Sequence, residues 1–157
     1  MADKGRKNTT DLPAILLVSA ASQTVQYLQE ILTEIDCPLL CLDRGNGIAG
    51  FLDQHHVAMV FCDLTLPDIS GMDVLRITRQ HSAAIQVVMF SEAQDFKTLR
   101  EVLRERALDY LTQPFSPDEV LASARQGISS YYHHHHQDEA RREAQRRMAD
   151  LVLLKKV

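Results

Sequence analysis

Three polar-headed side chains close, or sit within, short apolar runs. Asp63 follows the run at 57–62, Ser91 follows the run at 85–90, and Tyr110 lies within 108–111, just ahead of Gln113-Pro114-Phe115. A carboxylate placed directly after a buried strand is costly unless it is solvated or paired. Asp63 therefore marks either a cap on the following turn or a site. Ser91 reads as a site hydroxyl or an ordinary strand-end serine, and Tyr110 as a moving aromatic or plain packing. The chain carries no glycine-rich nucleotide loop, no nucleophilic triad and no metal-ligand cluster, so no catalysis of its own is expected.

The histidines and cysteines add little. His133 to His136 are consecutive, and on a helix only positions three or four apart share a face. His133 and His136 form at most one weak pair, in what is expected to be a solvated junction. His55-His56, in the turn before the run at 57–62, has the same standing. Cys37, Cys41 and Cys62 form no CxxC and no metal spacing. Scattered, buried thiols in odd number suit a reducing compartment.

The elements that must position these residues follow from periodicity. Runs at 14–18, 38–42, 57–62, 85–90 and 108–111 are short and largely apolar, 14–18 and 57–62 without a break, as strands buried on both faces are. Between them, Val25, Leu28, Leu32 and Ile35 recur at helical spacing. Gly45-Asn46-Gly47 turns the chain into a short helix through Phe51 and Leu52. Met72 and Leu75 mark an inward helix face, and Phe96, Leu99 and Leu103 are expected to line a fourth helix. Ser116, Pro117 and Glu119 spell a capping box with proline at the first helical position. Five βα units predict a parallel sheet with helices on both faces, of α/β class and flavodoxin-like, with strand order 2-1-3-4-5. Ligands in such sheets sit at the carboxyl ends of the strands. That rule selects the loops after Val18, Cys62 and Phe90.

Over about residues 13–130 the chain resembles the receiver domain of bacterial response regulators. Two motifs carry the resemblance: the Asp-x-x-x-Pro-x-x-x-Gly spacing of Asp63, Pro67 and Gly71, and the ending Asp-Tyr-Leu-Thr-Gln-Pro-Phe-Ser-Pro-Asp-Glu at 109–119. The resemblance implies that Asp63 is the phosphoacceptor for a histidine kinase. It implies that Ser91 bonds the phosphate and that Tyr110 changes rotamer with it. It also implies a cis peptide at Gln113-Pro114.

The chain departs from that family where charge is needed. Two adjacent acids after the first strand normally hold Mg²⁺; here the place reads Ser19-Ala20. The lysine before the final proline is here Gln113. Phosphoryl transfer rests on positioning and charge neutralisation, much of it by the metal. Hard Mg²⁺ needs carboxylate oxygens, and Asp63 with a carbonyl near Thr65 is a poor cage. No cofactor is expected, with Mg²⁺ relevant only if the phosphoacceptor site works. Fewer carboxylates also repel less, so the pocket should stand without a metal.

The sequence of 157 residues is 45% hydrophobic and carries a formal net charge of −4. That balance gives no general basis for nucleic-acid binding. No apolar run reaches a membrane span and no leader is visible, so a cytoplasmic protein is expected. Residues 1–12 are expected to form a flexible tail, 13–130 the receiver-like domain and 131–157 a helical extension or linker. The stripe Ala140, Ala144, Met148 and Leu151 suits a partner helix. The expected partner is a second copy, joined through the fourth helix, fifth strand, fifth helix and extension. A histidine kinase or an output domain is a further candidate partner. The expected function is an interaction or dimerisation switch in two-component signalling. The alternatives are a working phosphoacceptor at Asp63 and the regulatory front of a longer signalling enzyme.

Overall fold

The apolar runs become the strands β1 (Ala14–Val18), β2 (Leu39–Leu42), β3 (Val57–Asp63), β4 (Gln86–Ser91) and β5 (Asp109–Thr112) of a computed structural model that describes residues 12–93 and 95–155. All pairings are parallel, in the order β2-β1-β3-β4-β5, the flavodoxin-like arrangement. Right-handed crossovers place the helices α1 (Ser22–Leu32), α2 (Ile48–Gln54), α3 (Gly71–His81), α4 (Phe96–Arg104) and α5 (Pro117–Lys155) on the two faces.

Alternation along the central strands sorts the core into two layers. Ile15, Leu17 and Phe61 meet Leu28 and Leu32 of α1 and Val120 and Ala124 of α5. Leu16, Val18, Val60 and Cys62 meet Ile48, Leu75 and Val102 of α2, α3 and α4. The expectation that every strand is doubly buried fails at the sheet margins. β2 and β5 are edge strands and are only partly buried. Cys41 is accordingly exposed and Cys37 half-buried, so only Cys62 is a buried thiol. Burial, and secondarily the charge of Asp63, push the Cys62 thiol far above its usual range.

α4 is rotated from its expected orientation. Phe96 is 80% exposed and Leu103 54% exposed, while Val102 is fully buried and Leu99 partly so. Phe96 and Leu103 lie seven residues apart and share one face. Leu99 and Val102, three apart, form the neighbouring face that docks on the sheet. The helix ends in a left-handed residue, Arg106 at φ 65°. The Arg106 N–H donates to Leu103 O at 3.1 Å and the Ala107 N–H to Val102 O at 3.2 Å. Glycine is the preferred residue at this cap position, and a side chain there costs roughly 1–2 kcal/mol.

α5 starts at its capping box: the Ser116 N–H donates to Glu119 Oε2 at 2.9 Å and the Glu119 N–H to Ser116 Oγ at 3.2 Å. It then runs 39 residues, or about 58 Å at 1.5 Å per residue. The expected boundary at residue 130 falls inside this helix, which passes it unbroken. The histidine run is helix too, with His133, His134 and His136 exposed. His133 and His136 do not pair; His133 meets Gln137, and His136 stacks on Tyr132. His135 stacks on Tyr131, whose hydroxyl lies 2.6 Å from His56 Nε2. Among the described residues no group of three or more His, Cys, Asp or Glu side chains could hold a metal ion. Among the side chains described, Tyr131 is the last buried one of α5, and every side chain from 136 to 153 is exposed. The stripe Ala140, Ala144, Met148 and Leu151 therefore has no cover within the described residues. The expected flexible tail at 1–12 lies, Leu12 apart, outside them.

Candidate functional site

The carboxyl ends of β1, β3, β4 and β5 converge on one cleft of about 520 Å³. Asp63, Thr65, Ser91, Tyr110 and Gln113 all line it. The residues selected from the sequence are thus brought together. β3 carries Asp63 out of the core into a half-buried position, and the next turn folds back on it. Thr65 N–H donates to Asp63 Oδ1 at 3.1 Å. Asp63 is therefore a turn cap as well as a cleft carboxylate.

Gly71 explains the third member of the spaced motif. A Cβ there would stand 2.3 Å from the carbonyl oxygen of Asp63 and 2.7 Å from Leu64 Cα, both backbone atoms. Only glycine lets the start of α3 approach β3 so closely. Ser70 caps α3, accepting from Met72 N–H, while Asp73 returns a bond to Ser70 N–H. The loop between β3 and α3 is tied to the neighbouring loop by Asp68, which accepts from Gly45 N–H at 2.9 Å and Asn46 N–H at 2.6 Å. Desolvation acts to raise the Asp68 carboxyl, but the N–H groups of Gly45, Asn46 and Ile69 outweigh it and hold the group down at about 2. Sequence reasoning missed this tether. The unusual density of turn residues at 43–47 and 67–70 was its only signal.

Ser19 has a positive role that its reading as a missing acid did not supply. Its hydroxyl donates to Asp63 Oδ2 at 2.9 Å and accepts from Ala21 N–H at 3.1 Å, and the residue is only 3% exposed. A neutral donor thus faces Asp63 from the end of β1. Ala20 is exposed and brings no polar side-chain atom to the cleft.

Gln113 is likewise engaged. Its Nε2 donates to Thr24 Oγ1 at 3.0 Å, bracing the β5–α5 loop against α1. The Tyr27 hydroxyl donates to Phe115 O at 2.9 Å beside it. The Gln113-Pro114 peptide is cis. Ser91 and Tyr110 touch: the Tyr110 hydroxyl lies 3.0 Å from Ser91 Oγ and 3.0 Å from Ala93 O, and Ser91 Oγ donates to Ala93 O at 2.7 Å.

The donor set does not fit a hard divalent cation. Both oxygens of Asp63 already accept protein hydrogen bonds. Asp95, at the cleft's rim, caps α4 by accepting from Lys97 N–H and Thr98 Oγ1. Glu92 also lines the cleft as an exposed side chain, but Mg²⁺ asks for several oxygens in near-octahedral array, and among the described residues no group of three or more His, Cys, Asp or Glu side chains is so placed.

Residues 15–125 match the response regulator receiver domain family. Among curated proteins, the chain is 32% identical over 114 residues to the transcriptional regulatory protein KdpE of Mycobacterium tuberculosis, covering 73% of this chain and 50% of that protein. It is 29% identical over 108 residues to the cell cycle transcriptional regulator CtrA of Caulobacter vibrioides, covering 69% of this chain and 47% of that protein. The chain thus spans about half the length of these relatives. Their names concern transcription, so the exclusion of nucleic acid drawn from net charge gains no support from them. Among solved structures, the signal receiver domain of an HD domain-containing protein from Pseudomonas fluorescens superposes with a TM-score of 0.75 at 23% identity, covering 81% of this chain and 94% of that one. A CheY-like receiver domain from Methanospirillum hungatei gives 0.72 at 15% identity, covering 79% and 99%. At such identities these structures speak to the fold alone. No helix among the described residues is long and apolar enough to cross a membrane. With fold, cleft and motifs in agreement with the family match, the chain belongs to the response regulator receiver domain family of two-component signalling.

Proposed function

We propose that this receiver works in the cytoplasm as an interaction module whose phosphoacceptor site has lost its Mg²⁺ chemistry, and that it has no catalytic activity of its own. One observation carries the reading. The Ser19 hydroxyl donates to Asp63 from the position where the family places an acid. Asp63 is thereby satisfied without a cation, and Gln113, a neutral amide turned to Thr24, contributes no charge. Output then depends on surfaces. The exposed Phe96 and Leu103 of α4, the β5 edge and the bare stripe of α5 lie on the C-terminal half. Two copies related by a twofold axis would bury both stripes, the commonest symmetric solution. An isolated helix of the extension's length is marginal in water, which favours a partner for it.

The deciding experiment is incubation with a small phosphodonor and Mg²⁺ followed by intact-mass measurement. Little or no phosphoryl adduct on Asp63 is expected, and stoichiometric modification would refute the reading. The contact of Ser91 with Tyr110 at the cleft supports the second reading, a working phosphoacceptor, and the same measurement separates the two. Solution mass of the full chain against one ending near Ser130 tests the surfaces. A dimer that dissociates on shortening is expected, and a monomer in both would end the dimer proposal.

A further inference from the structure

At the end of the sheet opposite Asp63, α3 and α4 terminate around a cavity of about 560 Å³. Arg79, Arg104 and Arg106 line it, with Gln86 at the start of β4 and His134 from α5. Arg79 Nη1 donates to Ala83 O at 3.0 Å. Its Nε and Nη2 are buried and, among the described residues, find no partner. Burial, and then the like charge of Arg106, lower the Arg79 guanidinium from its ordinary value. The one carboxylate on the wall, Glu105, is committed to Arg76 at 3.2 Å.

A basic residue near a helix C-terminus is ordinary, since it offsets the helix dipole. Two features go further. Arg79 Nε and Nη2 are left without a partner after the carbonyl of Ala83 is served, and they are closed off from the cavity as they stand, so the guanidinium must turn to present them to a ligand. Arg106 also holds a left-handed cap position where glycine is preferred, and from there it adds a second cation beside Arg79. Both the local backbone and the local electrostatics would be relieved by losing Arg106.

We propose that this basal cavity binds a small phosphate-bearing anion, gripped by the guanidinium groups of Arg79 and Arg106. A phosphoryl group offers tetrahedral oxygens that planar guanidinium forks match in pairs, and charge enough to offset two cations. Chloride offers a single centre. A long polyanion has to approach a chain whose net charge is −4. His134 belongs to the stretch of α5 beyond Tyr131, so a bound anion would join α3, the α4 terminus and the extension.

The test is calorimetric titration of the full chain with pyrophosphate, at ionic strength held constant with sodium chloride. Saturable binding at one site is expected. Arg106→Gly should weaken it about ten-fold or more, while the variant unfolds at the same or a higher denaturant concentration. Arg79→Gln should weaken it comparably. Arg44→Gln removes the same charge from an exposed site paired with Asp43 and should leave binding unchanged. Heat no different from dilution, unaltered affinity in Arg106→Gly, or an equal loss in Arg44→Gln would each overturn the proposal. So would Arg106-dependent binding of a DNA duplex by a chain indifferent to pyrophosphate.

Discussion

Replacing Ser19 and Ala20 together by aspartate should give a protein that needs a divalent cation for full stability. Ser19 Oγ lies 2.9 Å from Asp63 Oδ2. A carboxylate at that place removes a donated hydrogen bond to a charged group, worth about 1.5–3 kcal/mol. It also sets a like charge against Asp63, an interaction of about 4 kcal/mol at 4 Å for an effective dielectric of 20. Asp63 is half-buried, so solvent screens part of the repulsion, and the terms overlap. A net loss of about 3 kcal/mol in the presence of a chelator is the expected outcome. Mg²⁺ at ten times its dissociation constant would return RT ln 11, about 1.4 kcal/mol. Urea unfolding of parent and double variant, each with chelator and with Mg²⁺, reads all four quantities. The parent should show no Mg²⁺ effect. A double variant as stable as the parent in chelator would refute the role given to Ser19. Indifference of the double variant to Mg²⁺ would refute the cage argument. Gln113→Lys alone adds a cation without a metal and breaks the bond to Thr24, so it should not restore phosphorylation.

Three further outcomes are expected. Gly71→Ala should destabilise by about 3 kcal/mol in urea unfolding, because the added methyl meets backbone rather than a flexible side chain. Asp68→Asn should lower stability at neutral pH. The folded Asp68 carboxyl sits at about 2 against an ordinary 3.8, so its contribution is full above the ordinary value and fades as pH falls through about 2. Parent and variant unfolding curves should therefore converge at the acid end. Tyr131→Phe removes the 2.6 Å contact with His56 and should cost about 1 kcal/mol. Amide exchange measured along α5 should then show faster opening beyond residue 131.

The strands β1, β3 and β4 were legible to within about a residue, because both faces are buried and the runs are short and largely apolar. The site's members were legible from their places at strand ends. Their bonds were not. Ser19 and Asp63 are 44 positions apart, and Gln113 and Thr24 89 apart, so neither pairing has a local signal. A missing charge could be read from Ser19, but the hydroxyl's service to Asp63 could not. The orientation of α4 failed for a different reason. Phe96 and Leu103 are apolar at helical spacing, and periodicity cannot say which of two adjoining apolar faces meets the sheet. Fully buried Val102 decided it. The boundary at residue 130 came from the resemblance, and α5 runs through it, past Gly127, without a break. A Cβ at Gly127 would stand 2.4 Å from Met59 Cε, so the glycine allows the helix close to β3.

The long α5 makes this receiver a lever. Its fulcrum is the last buried turn, where Tyr131 is wedged against His56. Beyond it, residues 132–155 form an arm of about 36 Å. A tilt of about 5° at the fulcrum, the sort of motion a rearranged side chain can produce, swings the far end by about 3 Å. That displacement is comparable to half a helical turn. An arm so geared would turn small events in the body of the domain into a displacement at its far end.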